Sequence, residues 1–328
     1  MVDLIIPTYK ARDTLPAALD SLVAQTKKLF IVTIVQDADG EDYTDIVEEY
    51  RRRGLKIRLL KMEQNSGPGM ARQYGMDKDS MSKFFMFMDS DDILNPRAIE
   101  VLTREAEMTN SDIVVSDFIV DTKGEPGMVM SVDNTPCTWT HGKIYKAEFL
   151  RKNNIRFHPS LRLNEDSYFN LVATNCTQNK VKIHEVTYIW HQNNNSLTRA
   201  EGQVGFFVKS WVQYVYSQVW GLNDIIDRIG PIQPELVAAT LINIYTHHMK
   251  ALGVEISKQC KMDDFINVEQ MLGTLKENPT IVDAIHAKQF WEYISRNLKG
   301  CEMFDNNLVF YKMRFCDWMR KYVIDSLV

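Results

Sequence analysis

The sequence predicts an α/β domain built on a mostly parallel sheet with helices on both faces, followed by a helical C-terminal module. Three observations carry this. Short apolar, β-rich runs alternate with longer amphipathic segments between Asp3 and Phe118, the pattern of a covered parallel sheet. Polar clusters follow the apolar runs, as they do where strands end at a ligand-bearing rim. From about Glu201 onward the strand signals fade and only helical periodicity remains.

In chain order, "DLIIP" (Asp3 to Pro7), "LFIVTIVQD" (Leu29 to Asp37), "KIRLLKM" (Lys56 to Met62), "FFMFMD" (Phe84 to Asp89) and "DIVVSDF" (Asp112 to Phe118) read as buried strands. Between them, residues 12–26, 41–54, 67–78 and 96–108 carry helical spacing, with Gly54 as a stop signal. The expected domains are 1–200, carrying the sheet, and 201–328, all helical. The C-terminal segments beginning at Gly205, Gln233, Asp263, Ile281 and Leu308 each read as one amphipathic helix.

Composition narrows the class. With 328 residues, 45% of them hydrophobic and 25% charged, the chain can bury a substantial core. A net charge of -5 gives no global basic field for nucleic acid. No apolar run reaches the roughly 18 residues a transmembrane helix requires, and Met1 leads directly into "VDLIIP" without a charged leader. The expectation is a cytoplasmic protein. Its cysteines, Cys137, Cys176, Cys260, Cys301 and Cys316, form no C-x-x-C pair, so reduced thiols are expected rather than a zinc site or a disulfide framework.

The chemistry concentrates where strands end. "FMFMDSDDIL" places Asp89, Asp91 and Asp92 directly after the most apolar strand. Carboxylates this close repel and raise one another's proton affinity unless a cation or a set of donors relieves them. A divalent ion is one answer; a helix N-cap cluster before "NPRAIEVL" is the other. "PTYK" follows the first strand and "QDADGED" the second, where Asp37 can serve either a ligand or the turn itself. "NSGPGMARQYG" offers Gly67 and Gly69 for close backbone approach, room for a phosphate, and Arg72 on the same side. Further on, "RLNEDSYFN" sets Glu165 and Asp166 at the start of a helix with a buried face, suited to a general base or to capping.

These landmarks, with "THGKIYKAEFLRKNN", occur in an order that resembles glycosyltransferase family 2, the GT-A (Rossmann-like) group of inverting nucleotide-sugar enzymes. The resemblance covers roughly residues 1 to 200. It implies a metal-dependent hexosyltransferase using Mn2+ or Mg2+ and a nucleotide-sugar donor, with UDP as the expected nucleotide. Pro7 and Tyr9 then flank the base, Asp37 meets a uracil ring, and Arg72 contacts the nucleotide side. Asp89 and Asp91 form the DXD motif that holds the cation against the diphosphate, and Asp89 also belongs to the donor site. Asp166 falls on the catalytic base, with Glu165 beside it. His141 and Gly142 in "WTHGKIYK" line the donor sugar and acceptor, and His191 in "VTYIWHQ" is the candidate histidine ligand of the metal. The chain departs from the family pattern after its second strand, where Gln36 replaces the first of two acids.

The implied acceptor is a glycan or cell-envelope polymer, with a modified DNA base as the other option. The last helix interleaves Lys312, Arg314, Arg320 and Lys321 with Tyr311, Phe315, Trp318 and Tyr322. Three uses follow: a packed helix with solvated cations, peripheral membrane contact, or a nucleic-acid groove. A rival from another class is a non-catalytic module of the same fold that binds glycans or nucleotide sugars. Retention of both the D-x-D and the E-D favours the enzyme. A nucleotidyltransferase would share the acidic metal ligands but does not predict the later "NED".

Overall fold

The computed structural model describes residues 1–79, 81–121, 129–132, 138–191, 204–255, 263–298 and 314–324. The chain forms two compact units, Met1–Ser196 and Leu197–Val328. Cys176 and Cys316 are free thiols; Cys137, Cys260 and Cys301 lie outside the described residues.

The first unit runs β1 (Val2–Thr8), α1 (Leu15–Val23), β2 (Phe30–Gln36), α2 (Thr44–Arg52), β3 (Ile57–Lys61), α3 (Pro68–Lys78), β4 (Phe84–Phe87), β5 (Ile93–Leu94), α4 (Ala98–Thr109), β6 (Ile113–Asp121), β7 (Val129–Val132), β8 (Lys143–Lys146), α5 (Ala147–Lys152), α6 (Glu165–Asn175) and β9 (Lys180–His191). The sheet order is β3-β2-β1-β4-β8-β6-β9-β5, with β7 beside β6. β3, β2, β1 and β4 are mutually parallel, as the alternation of strand and helix requires. β8 is antiparallel to both β4 and β6, and β6 is parallel to β9. The sheet is therefore mixed.

Why these segments fold this way is local. β1 is buried along almost its whole length, so it reads as a continuous apolar run rather than an alternation. In α1, Leu15, Ala18, Leu19 and Leu22 recur at helical spacing and are the buried residues, and Pro16 sits in the first turn where its missing N–H costs nothing. α2 stops at Gly54, whose φ is +100°. Because Val2 stands level with both Phe30 and Phe84, the carboxyl ends of β1, β2 and β4 reach the same rim.

The second unit contains α7 (Val204–Ile229), α8 (Pro234–Glu255), α9 (Asp263–Gly273), a 3-10 turn at Thr274–Glu277, α10 (Pro279–His286), α11 (Lys288–Asn297) and α12 (Phe315–Tyr322). The segment 281–298, expected as one helix, is broken at Ala287, whose backbone is extended (ψ 142°). The unit has its own core, with Val215, Val219 and Leu222 of α7 and Leu241, Ile244 and Tyr245 of α8 joined by Phe290, Phe315 and Trp318. Burying each such large side chain contributes about 1.5–3 kcal/mol. In α12 the aromatic residues Phe315, Trp318 and Tyr322 face this core, whereas Arg314, Arg320 and Lys321 are exposed. This is the packed-helix arrangement of the three considered; Tyr311 and Lys312 lie outside the described residues. His248 is also internal, accepting the Trp318 indole N–H at 3.1 Å, and His247 stacks on Tyr214.

Candidate active site

The acid run divides in two. Asp92 is fully buried; its Oδ2 accepts the Tyr188 hydroxyl at 2.5 Å and its Oδ1 accepts the His191 backbone N–H at 2.9 Å. Burial, with the neighbouring Asp89 and Asp91 adding to it, pushes the Asp92 carboxyl well above the ordinary range. Asp92 therefore anchors the run to β9. Asp89 remains open, with 42% of its side chain exposed, and Asp91 is partly exposed beside it. The Asp89 N–H donates to the same Tyr188 hydroxyl at 3.1 Å, so one tyrosine fixes both ends of the turn.

Arg72, on α3, links the two acidic motifs. Its Nη2 donates to Asp89 Oδ1 at 2.6 Å and its Nη1 to Glu165 Oε1 at 2.8 Å. Burial opposes the guanidinium's charge, but Asp89 and Glu165 outweigh it and hold the group firmly protonated. The contact exists because α3 and α6 approach closely at Gly69. A Cβ there would fall 2.6 Å from Glu165 Cγ, a separation no side chain tolerates. The loop leading into α3 is held from the other side by Asp37, whose two oxygens accept the N–H groups of Ser66 (2.7 Å) and Gly67 (2.8 Å). Gly67 has φ +88°, a conformation that favours glycine.

Glu165 and Asp166 open α6 after Asn164, which takes the left-handed conformation (φ 57°) and makes no side-chain cap. Glu165 is buried; burial raises its proton affinity while Arg72 holds it back. Asp166 is half-buried. Burial first, then the adjacent Glu165, push its carboxyl up to about 7, and one of its oxygens accepts the Ser167 N–H at 2.7 Å. A carboxylate poised near neutrality can take up a proton and give it back.

The remaining candidates are placed as follows. Pro7 lies near the end of β1, half-buried, and Tyr9 beyond it is 48% exposed, with the Lys10 Nζ 5.5 Å from the centre of its ring. Asp37 has both carboxylate oxygens committed to the α3 loop, so of the two glycines offered for close approach the N–H of Gly67 is already paired. His141 is buried, stacked on Tyr188 (4.7 Å) and Trp139 (5.7 Å) with Phe118 edge-on (4.4 Å). Burial, reinforced by Lys143 and Arg72, drives its pKa well below the ordinary histidine value, so the ring is neutral. It forms an aromatic layer under the acid run. The carbonyl of Gly142 accepts both the N–H and the hydroxyl of Ser116, and Lys143, expected in a loop, begins β8. His191 ends β9 with its Nδ1 at 2.9 Å from Asp121 Oδ2.

Three residues carry this architecture without having been singled out by the sequence. Asp39, in the loop between β2 and α2, gathers Gln36 Nε2, the N–H groups of Lys10 and Glu41 and the Tyr43 hydroxyl, tying that loop to the one that follows β1. Tyr188 and Asp121 are the others. The position of Asp39 in a D-x-D-G turn is a local signal; Tyr188 and Asp121 meet their partners only through strand pairing. A cavity of about 390 Å³ at the opposite end of the strands, lined by Ile31, Arg51, Leu55, Lys56, Ile57 and Arg58, shares no residue with the rim.

Comparison with known proteins identifies the domain. Residues 3–164 match the profile of Glycosyl transferase family 2. The N-terminal unit is a family 2 glycosyltransferase domain. The chain is 27% identical over 220 residues to the glycosyltransferase EpsJ of Bacillus subtilis, covering 60% of this chain and 63% of that protein. It is 29% identical over 183 residues to the poly(ribitol-phosphate) β-N-acetylglucosaminyltransferase TarS of Staphylococcus aureus, covering 52% of this chain and 32% of that one. It thus spans less than two thirds of either relative. Among solved structures, TarS 1-349 in complex with UDP-GlcNAc superposes with a TM-score of 0.61 at 17% identity, covering 95% of this chain and 99% of that one. A mannosyltransferase from Pyrobaculum calidifontis, in complex with GDP-Man and Mn2+, gives 0.53 at 12% identity, covering 90% of this chain and 84% of that one. At these identities the likeness establishes the GT-A fold of the family 2 domain.

The rim suits a hard divalent cation. Asp89 and Asp91 are accessible carboxylates at a strand end, and Asp89 is already paired with a positive group. Among the described residues no three His, Cys, Asp or Glu side chains form a cage. A site of one or two carboxylates that leaves the remaining positions to substrate phosphates and water is the usual arrangement for Mg2+. Among the described residues no helix is long and apolar enough to cross a membrane.

Proposed function

We propose that the protein is a metal-dependent, inverting glycosyltransferase that moves a sugar from a UDP-linked donor to a hydroxyl of a cell-envelope polymer. The observation that carries this reading is Asp166, a carboxylate poised at about 7 on the helix that Arg72 ties to the acid run. The names of two relatives support the acceptor class and the nucleotide. TarS acts on poly(ribitol-phosphate), as does a β-glucosyltransferase of Bacillus spizizenii that is 26% identical over 185 residues, and TarS has been solved with UDP.

In this reading Asp166 accepts the proton of the acceptor hydroxyl as its oxygen bonds to the anomeric carbon. The bond from that carbon to the diphosphate oxygen breaks on the opposite face, which inverts the configuration. Asp89 and Asp91 would hold the cation, whose chemistry is to neutralise charge developing on the departing diphosphate. Tyr9 offers an exposed ring for the base. Arg72 keeps Glu165 in place and supplies the fixed positive charge of the site. His141, neutral and enclosed, supports the acid run from below.

The test is transfer by the purified chain from a panel of UDP- and GDP-sugars to poly(ribitol-phosphate) and to neutral glycans, with and without Mn2+. Product formed only with a UDP-sugar and metal is the expected result. Sugar-nucleotide binding without transfer or hydrolysis would instead establish a binding module.

A further inference from the structure

We propose that the amino end of the parallel strands is a membrane-contact face, which lays exposed apolar side chains against a bilayer while its cations meet anionic phospholipid headgroups. The inference is independent of the chemistry at the carboxyl rim, so the failure of either leaves the other standing.

Three observations converge. The first is where the exposed apolar side chains fall. Among the described residues of the first unit the large ones are Met1, Tyr9, Leu29, Met81 and Met108, and the last three keep 57%, 80% and 75% of their exposure. Tyr9 belongs to the rim; the others gather at the opposite end. Met1 and Leu29 directly precede β1 and β2, whose first residues stand level. Met81 lies two residues before Lys83, whose N–H donates to the Met1 carbonyl at 3.0 Å. Met108 sits in the last turn of α4, next to Glu107. Single exposed apolar residues are ordinary on a protein surface, but a group of them at one end of a fold marks a contact.

The second observation is charge. Glu107 has Lys83 Nζ at 3.5 Å and Lys27 Nζ at 3.9 Å, which sets two lysines around the turn that bears Met108. Lys28, Arg52 and Lys56 are exposed at the same end and enter no ion pair among the described residues. The acids around them are engaged: Asp3 and Asp79 are buried, Glu48 pairs with Arg51, and Asp20 and Glu49 pair with Arg53. A chain of net charge -5 is repelled by an anionic surface unless its cations are segregated. Here the open acids stand at the rim and the open cations at the other end.

The third is room for a headgroup. The cavity of about 390 Å³ lies at this end, and Ile31 in its lining is two residues from Leu29. Arg51 and Lys56 are the exposed members of that lining, whereas Leu55 and Ile57 are buried. A site with cations outside and apolar side chains within suits a lipid phosphate and its glycerol stem better than a free anion. With this face against a bilayer the acid run is held off by the length of β1, roughly 20 Å for its seven residues.

The test is flotation of the full chain with vesicles of phosphatidylcholine alone and of phosphatidylcholine mixed with phosphatidylglycerol. Three variants accompany it: Leu29→Ser with Met81→Ser and Met108→Ser, Lys28→Gln with Lys56→Gln, and, on α12, Arg320→Gln with Lys321→Gln. All the changed side chains are exposed, so melting temperatures should stay at the wild-type value. The wild type should float with the anionic vesicles, not with the neutral ones, and less so as salt is raised. The serine variant should bind about tenfold more weakly, and the Lys28/Lys56 variant about fivefold more weakly for each cation removed, while the α12 variant floats normally. Wild-type protein that floats with neither vesicle, or a serine variant within about twofold of wild type, overturns the proposal. Loss of flotation in the α12 variant alone also overturns it, by moving the contact to the second unit. Heparin bound as tightly as the anionic vesicles, with the serine variant binding both normally, would show a surface that reads charge only and would overturn the bilayer as its partner.

Discussion

The two ends of the parallel strands carry the same ingredients in opposite order. At the carboxyl rim the cation is buried and an acid is open: Arg72 keeps 5% of its side-chain exposure while its partner Asp89 keeps 42%. At the amino end the acids are buried and the cations open, with Asp3 at 0% and Asp79 at 2% facing Arg58 at 31% and Arg151 at 41%. Both ends contain a carboxyl whose proton affinity is raised by burial, Asp3 to about 6 and Asp166 to about 7. A perturbed carboxyl is therefore no mark of function by itself. What separates the ends is access. Asp3 accepts the Thr33 hydroxyl at 2.6 Å and Asp79 accepts the N–H groups of Met81 and Ser82, so these acids are spent on the fold. The rim leaves carboxylates facing outward around a fixed positive charge.

The sharpest way to break this contrast is to remove the proton acceptor at each end. Asp166→Asn should lower turnover by about a hundredfold to ten-thousandfold, the usual contribution of a positioned base, with donor KM nearly unchanged. Asp3→Asn should leave turnover intact. Steady-state kinetics on the two variants decides it, and equal losses would abolish the distinction.

Next in size is the loss of the buried cation. Arg72→Met strands Glu165 in the interior, and breaking a buried pair costs about 3–5 kcal/mol. Arg58→Met, at a partly exposed pair, should cost about 1 kcal/mol or less. Urea denaturation measures both. A third variant, Gly69→Ala, forces a methyl against Glu165 and should destabilise by about 1–3 kcal/mol, with transfer falling because α6 is displaced. Thermal melting reads the first effect and kinetics the second.

The contrast extends to pH. Transfer should rise about tenfold per pH unit below neutrality and level off above about 7, as Asp166 becomes able to accept a proton. For stability the sign is reversed. Both carboxyls hold protons more tightly in the folded chain, so stability declines as pH climbs from the ordinary carboxylate range through about 6 for Asp3 and about 7 for Asp166. Asp3→Asn should remove the lower part of that decline and Asp166→Asn the upper part, as followed by melting temperature between pH 4 and about 8.

Much of this was legible in the sequence, and what was not shares one cause. β1 to β4 follow from their apolar runs, and α1, α2 and α4 from apolar residues recurring on one buried face; α3, whose buried face includes Gly69, Arg72, Gln73 and Gly75, is marked instead by Gly67 and Pro68 at its start. Asp89, Asp91, Arg72, Glu165 and Asp166 were visible as candidates because strand ends and helix starts have local signatures. The bridging of Asp89 and Glu165 by one arginine was not, since it depends on the missing side chain at Gly69. Nor were the commitments of Asp37 to Ser66 and Gly67, the enclosure of His141 between Trp139 and Tyr188, or the pairing of Asp121 with His191. Those contacts span between 29 and 70 residues where they are hydrogen bonds, and no local pattern encodes the register that produces them. The break at Ala287 was hidden for the opposite reason: alanine favours helix, and tertiary packing overrides it.

The anchoring of Asp92 by Tyr188 and His191 has a consequence for how the protein is made. The acid run leaves the ribosome 96 to 99 residues ahead of the groups that hold it. At about 5–20 residues per second of synthesis, the nascent chain carries Asp92 for roughly 5–20 s without its donors. Through that interval the first four strands can pair and Arg72 can reach Asp89, yet the turn lacks the Tyr188 and His191 donors that anchor it from β9. On the metal-dependent reading proposed above, cation affinity should therefore appear late and abruptly during translation, when β9 emerges and docks, rather than growing with the sheet.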